Sequence, residues 1–433
     1  HHPLRRTGPM RLTLRRPPLP LTLLTTAALV CIPAALLLAF PRRSASGLER
    51  LLPSAALLQS FPVQPSDAPP VLWRQRLGGP GAERLWASQG HLWWQFWGAH
   101  GDAGAYLALR APAHLPLPAN SLRVDDLLVV APDPLARQLL QQELKVRRRP
   151  PRGLALRCVQ LLRQGQAVHW SAGAVGQLLG PLAPLAQDLE EGCLALSSQG
   201  TVLRWQGETD ASEGSLAAQP PALASAAAQP LPADQWLELR GRSLDLLLRG
   251  LLTSPVVRQS LAQTYGLGPG PLRLLQAMPF QLRLQPVAKG PFRAGLQLQL
   301  ELGAGRSVIE AWLADLSTAL RDQGLKESQP LAGLSAWSRE DGSLAGGWRW
   351  LPGRRQVLLF LGPVPTSLPI SPPLGEASWR LRLRPQALAK AGLLPADLPP
   401  VVRRAQQLEL LGRAAGSRSG ERQSALAGQL DLR

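Results

Sequence analysis

The residues able to do chemistry in this 433-residue chain are few and mostly scattered: six histidines, three cysteines and 29 acids. His91, His100 and Asp102 lie close in sequence, and two imidazoles with a carboxylate are a donor set for a divalent metal or for acid-base work. Two stretches elsewhere resemble this one, and they carry Thr201 and Ser343 where His91 falls. A loop feature of one segment is therefore the simpler reading. The acid pairs Asp125 and Asp126, Glu190 and Glu191, and Glu340 and Asp341 are adjacent in the chain. Neighbouring carboxylates do not face one another across a substrate as a glycosidase pair must, so they read as turns and caps. GLGPGP at 266–271 lacks the Lys-Ser/Thr of a phosphate loop, and its prolines remove N–H donors; it reads as a turn. No HExxH, GxSxG or CxxC occurs. The residues thus nominate no catalytic group, metal ligand or cofactor, and an enzyme is the less favoured class.

Tryptophan is the other chemistry on offer. SQGHLWWQFW at 88–97 raises the choice between a binding platform and the inside of a sheet. As a strand it places Leu92, Trp94 and Phe96 on one side and His91, Trp93, Gln95 and Trp97 on the other. Trp94 and Phe96 are expected to be core, with Trp93 or Trp97 the surface ring. Candidate ligand or partner contacts are accordingly Trp93, Trp97, Trp205, Trp348 and Trp350.

The elements that hold these residues recur. Tryptophan hairpins are expected at 84–98, 193–208 and 334–353, and proline-rich connectors follow at 111–120, 218–234 and 363–376. A strand running into a helix comes next, at 125–144, 234–252 and 377–394, then a hairpin at 153–170, 280–302 and 407–432. Amphipathic helices close the first two units, at 174–192 and 307–325. In the second of these, Val308, Ile309, Trp312, Leu313, Leu316 and Leu320 form one stripe. In GLQLQLEL at 295–302 the leucines alternate with Gln297, Gln299 and Glu301, which predicts one core face and one wet face. The fold class is α+β: an N-terminal transmembrane helix, then about three repeated modules of largely antiparallel sheet with helices on one face.

The net charge of +18 is carried almost entirely by arginine. The densest basic run, KVRRRPPR at 145–152, reads as a solvated connector. Arginine beside tryptophan, as in WRLRLR at 379–384, suits nucleic-acid stacking, but the alternation is that of a half-buried strand, and no nucleic acid is expected. Residues 21–40 are uncharged and flanked by arginines, the pattern of a single-pass signal anchor with a cytoplasmic N-terminus. A cleaved signal peptide is the rival. Either reading exports the bulk of the chain to a periplasm or lumen. The expected organisation is 1–20 basic tail, 21–40 transmembrane helix, 41–83 linker, 84–192, 193–333 and 334–433 repeat modules, the last truncated. Cys31 lies in the span, and Cys158 and Cys193, in different units, are expected to lie apart.

The N-terminal span, the SxxGxLxW hairpins and PADQWLELR at 232–240 resemble a membrane-anchored family of unknown function known mainly from cyanobacterial genomes. The resemblance implies an envelope or thylakoid-lumen location and transfers no activity or site residue. Three classes of function remain. The first is a non-catalytic anchored scaffold or protein-binding module, touching the membrane through 21–40. The second is a carrier of an apolar or lipid ligand between sheet and helices, and the third is an envelope enzyme. A filled interior favours the first, a continuous apolar cavity the second, and a cleft of converging acids or histidines the third.

Overall fold

The computed structural model describes residues 19–39, 43–64, 66–88, 90–98, 104–171, 173–174, 191–209, 230–288, 293–368, 370–394, 400–415 and 422–433. Residues 46–146 and 151–433 form one compact unit; residues 1–45 with 147–150 form another.

The second unit contains helix α1 (Leu19–Ala39), where the anchor was expected. Among the described residues no helix is long and apolar enough to cross a membrane. This overturns the single-pass and signal-anchor expectation and the periplasmic or luminal placement built on it.

Among the described residues the large unit is built on one sheet of 18 strands. In chain order the strands are β1 (Ala55–Pro62), β2 (Leu92–Gly98), β3 (Tyr106–Arg110), β4 (Ser121–Val124), β5 (Leu127–Val130), β6 (Ala167–Trp170), β7 (Gly192–Gln199), β8 (Val202–Thr209) and β9 (Leu237–Gly241). They continue with β10 (Phe280–Pro286), β11 (Ala294–Glu301), β12 (Lys326–Ser328), β13 (Leu334–Ser338), β14 (Leu344–Trp350), β15 (Gln356–Leu361), β16 (Trp379–Leu383), β17 (Gln407–Ala415) and β18 (Arg422–Asp431). Every described pairing is antiparallel, and the spatial order is β4-β5-β3-β2-β1-β6-β7-β8-β18-β17-β16-β9-β10-β11-β15-β14-β13-β12. Instead of separate modules, each with its own sheet, the chain threads one continuous ladder.

The stretch from β7 to β14 is a palindrome about the β9–β16 pair. Hairpin β7–β8, strand β9 and hairpin β10–β11 match hairpin β14–β15, strand β16 and hairpin β17–β18. The two sets exchange partners, β11 pairing with β15 and β18 with β8. The sequence-level alignment of 193–208 with 334–353 is thus one strand out of step, because β13 is extra. The expected hairpin at 84–98 is the end of a helix followed by β2, and that at 153–170 is a helix, Gly153–Gln164, followed by β6. Of the closing helix at 174–192, residues 175–190 lie outside the described residues.

Aromatic rings stack on glycines directly across the strands. Trp170 faces Gly192, Phe280 faces Gly241, Trp379 faces Gly412, Trp205 faces Gly428 and Phe360 faces Gly347, and a Cβ added at any of these glycines would run into the ring. The absence of a side chain lets each ring lie on the backbone, a cross-strand contact of the kind that stabilises sheets.

In β1–β6 both sheet faces are apolar. Leu58, Trp94, Phe96, Tyr106 and Ala108 form one core with Val159 and Leu162 of α6 (Gly153–Gln164), counting α2 (Leu48–Leu51), α3 (Val71–Leu77), α4 (Gly79–Ala87) and α5 (Pro134–Glu143) before it. Trp93, Leu107 and Leu109 form another with Trp73 of α3 and Trp86 of α4. Trp94 and Phe96 are buried as the alternation requires, and Trp94 Nε1 donates to Leu162 O at 2.8 Å. Trp93 is buried as well, leaving Trp97 half-buried at the end of β2.

Cys158 and Cys193 are bonded, with Cα atoms 5.5 Å apart and both side chains fully buried. Their expected separation fails because 153–164 is a helix that crosses β7, which brings Cys158 of α6 onto Cys193.

Candidate functional site

Of the remaining helices, α7 (Asp245–Leu251), α8 (Pro255–Tyr265), α9 (Pro269–Gln276) and α10 (Arg306–Asp322) cover the apolar face of the palindromic half, and α11 (Pro385–Lys390) and α12 (Pro400–Arg404) pack against each other beside β17. GLGPGP makes the turn from α8 to α9. Gly266 takes the left-handed conformation at the α8 C-terminus, its φ of 67° favouring glycine, and Gly268 caps α9. Leu267 is thereby turned inward and is buried, its N–H donating to Leu261 O at 2.9 Å.

Helix α10 seals unevenly. Ile309 and Leu313 are buried, whereas Trp312, Leu316 and Leu320 of the same stripe are only half-buried. Helix α8 buries no residue at all. Trp312 Nε1 donates to Tyr265 O at 3.0 Å, tying α10 to the end of α8. Between these helices and strands β11, β13, β14 and β15 lies a cavity of about 520 Å³. Leu267, Trp337, Trp348 and Phe360 are its buried lining, and Leu361, 55% exposed, and Tyr265, 38% exposed, are at its open side. Leu261, Leu296, Leu298, Trp312, Leu316, Leu320 and Leu359 supply most of the rest. The Trp337 and Trp348 rings sit 5.9 Å apart. Arg321 lies over the Trp337 ring at 5.8 Å and pairs with Glu327 at 2.6 Å. Burial works against the Glu327 carboxylate, but hydrogen bonds from Arg321, Gln329 and Ser335 hold its pKa below the ordinary glutamate range. The lining has no carboxylate, imidazole, thiol or amine. Such a space can hold an apolar molecule, and the Tyr265 phenol is the one acid-base side chain among the residues that line it.

Of the tryptophans singled out in the sequence, Trp348 lines this cavity, and Trp350 is half-buried against the same core. Trp93 belongs to the core on the α3–α4 side, Trp97 pairs across from Leu57, and Trp205 lies on Gly428. The structure therefore does not gather the five into one site. The sequence reading missed Trp312 and Trp337 as lining. Trp312 stands in the α10 stripe, whose spacing predicts core, and only its companion helix α8, with no buried residue, reveals a gap there.

His91 is exposed, and His100 and Asp102 lie outside the described residues. Among the described residues no group of three or more His, Cys, Asp or Glu is placed to hold a metal. Asp125, at φ 54°, makes the β4–β5 turn and accepts from Gly47 N at 2.6 Å. Asp341 takes the Ser343 N–H at 2.9 Å in the β13–β14 turn.

The opposite face of the same strands, expected to be wet, is buried and charged. Arg283, Glu238, Arg382 and Glu409 stand side by side across β10, β9, β16 and β17. Each is at most 3% exposed. Arg382 Nη2 meets Glu238 Oε1 at 2.7 Å, and Arg380 Nε meets Glu409 Oε1 at 3.4 Å. The connector 363–376 covers this face: Ser371 Oγ donates to Glu238 Oε2 at 2.6 Å, and Arg240 Nη1 donates to Pro372 O at 2.9 Å. Burial alone would raise the Glu238 carboxyl, but the Ser371 hydrogen bond with Arg382 and Gln281 brings its pKa below the ordinary glutamate value. For Glu409 burial prevails over Arg380 and Arg382, and its pKa is pushed up.

No family model and no curated protein matches the chain. Among solved structures it is similar to crystal form IV of TP0453, at 10% identity over 46% of this chain and 90% of that one, with a TM-score of 0.27.

Proposed function

We propose that the protein binds an apolar small molecule, such as an acyl chain, in the cavity between α8, α10 and the sheet. The observation that supports this is an apolar space of about 520 Å³ with an open side at Leu361 and Tyr265. Its volume lies in the roughly 300–1,000 Å³ range of small-molecule pockets. Helices that left no such space would have favoured the scaffold reading, and converging acids an enzyme. Each methylene moved from water into such a space contributes about 0.8 kcal/mol, or about fourfold in Kd. Titration of the purified chain with fatty acids of increasing length, followed by Trp fluorescence, should therefore show affinity rising stepwise and then levelling when the cavity is full. Leu316→Phe should shorten the chain length at which it levels. Affinity that is independent of chain length, or unaltered by Leu316→Phe, refutes the reading.

A further inference from the structure

A second cavity, of about 560 Å³, lies on the other face of the sheet, between the connector and strands β9, β10, β11 and β15. Arg240, Arg242, Arg283, Gln281, Gln299 and Ser371 line it, and Glu301 is its one carboxylate, exposed at the end of β11. The sheet face beneath holds more cations than anions: Arg240, Arg283, Arg380 and Arg382 against Glu238 and Glu409. Arg240 and Arg380 are direct cross-strand neighbours, a like-charge pairing that costs stability. Both of their Nη1 groups donate to Pro372 O, so a neutral carbonyl is what the connector offers them. Burial pushes Glu409 toward its neutral form and lowers the pKa of Arg283 and Arg380, so these cations are held at a cost. A buried positive excess beside a cavity is relieved by an anion, and guanidinium is the group whose planar fork matches an oxyanion in two hydrogen bonds.

We propose that the polar cavity beneath the 363–376 connector is a binding site for an oxyanion, presented as a phosphate or a carboxylate group. The site is independent of the apolar cavity, from which the sheet separates it. Gln299 makes it testable without removing an arginine. Its Oε1 accepts from Arg283 Nη1 at 3.3 Å, so Gln299→Glu puts a permanent carboxylate where the ligand's would act. The full chain is titrated calorimetrically at low ionic strength with inorganic phosphate, with succinate, and with chloride as control. Saturable one-to-one binding of phosphate or of succinate is expected, and which of them binds identifies the source of the oxyanion. Gln299→Glu should weaken it at least tenfold while raising the melting temperature. Arg242→Gln should weaken it severalfold, and Arg84→Gln, on α4 in the β1–β6 region, should leave it unchanged. The proposal is overturned if neither anion binds saturably to the native chain, if chloride binds as well, or if binding survives Gln299→Glu.

Discussion

The strands β1–β6 and the palindromic strands β7–β11 and β14–β18 belong to one ladder yet solve opposite problems. In the first region both faces are apolar and both are sealed by helices, with Trp73, Trp86 and Trp93 on one side and Trp94, Phe96 and Tyr106 on the other. In the second, one face is leucine and tryptophan under helices that leave a gap, and the other is arginine, glutamate and glutamine under a proline-rich connector. A sheet filled on both sides has room only for its own side chains. Space for another molecule arises where the cover is a helix with no buried residue, or a connector that spans several strands.

The sharpest way to break the comparison is to remove a ring from each region. Trp94→Ala should cost roughly 3–5 kcal/mol, as large-to-small changes in a filled core do. Trp348→Ala enlarges a space that already exists and should cost less than Trp94→Ala in urea unfolding. Equal losses would mean that the cavity is as tightly filled as the β1–β6 core.

Removing one partner of the buried ladder comes next. Glu238→Gln leaves Arg382 without its carboxylate and should destabilise the protein at neutral pH by about 3 kcal/mol, the low end for breaking a buried pair. The pH dependence has a definite sign. Glu238 has a depressed folded pKa, so its contribution is present above the unfolded value and is lost as pH falls through the folded one. Glu409 has a raised folded pKa, so its contribution is present below the unfolded value and is lost as pH rises through the folded one. Glu409→Gln should accordingly flatten the decline in stability above the glutamate range, and Glu238→Gln the decline below it. Unfolding curves of both variants across that range check this.

The smallest effect expected is at the glycine–aromatic contacts. Gly412→Ala forces the buried Trp379 ring off the backbone and should cost about 1–3 kcal/mol, within the range for overpacking. Thermal unfolding reads it.

Alternation made the leucine face of β11 legible in the sequence, since Leu296, Leu298 and Leu300 need only a period of two. Nothing local showed that Gln297 and Gln299 would also be covered, because that cover is a connector arriving from more than sixty residues away. The helix at 153–164 was legible in principle: Leu154, Cys158 and Leu162 recur every four residues. Taking it for a hairpin hid the Cys158–Cys193 bond. The stacked rings depend on register, with Trp205 meeting Gly428 across more than two hundred positions, and no spacing in the chain encodes that. An uncharged run suggested a membrane span, and the described structure has no helix to support it.

The central claim is that the apolar cavity takes a ligand. Its most direct test is a crystal structure of the chain with a fatty acid brominated at its methyl end. The account predicts an anomalous bromine peak between α8 and α10, within contact of Trp337 and Trp348. Side chains closing that space, with bromine elsewhere or nowhere, would contradict it.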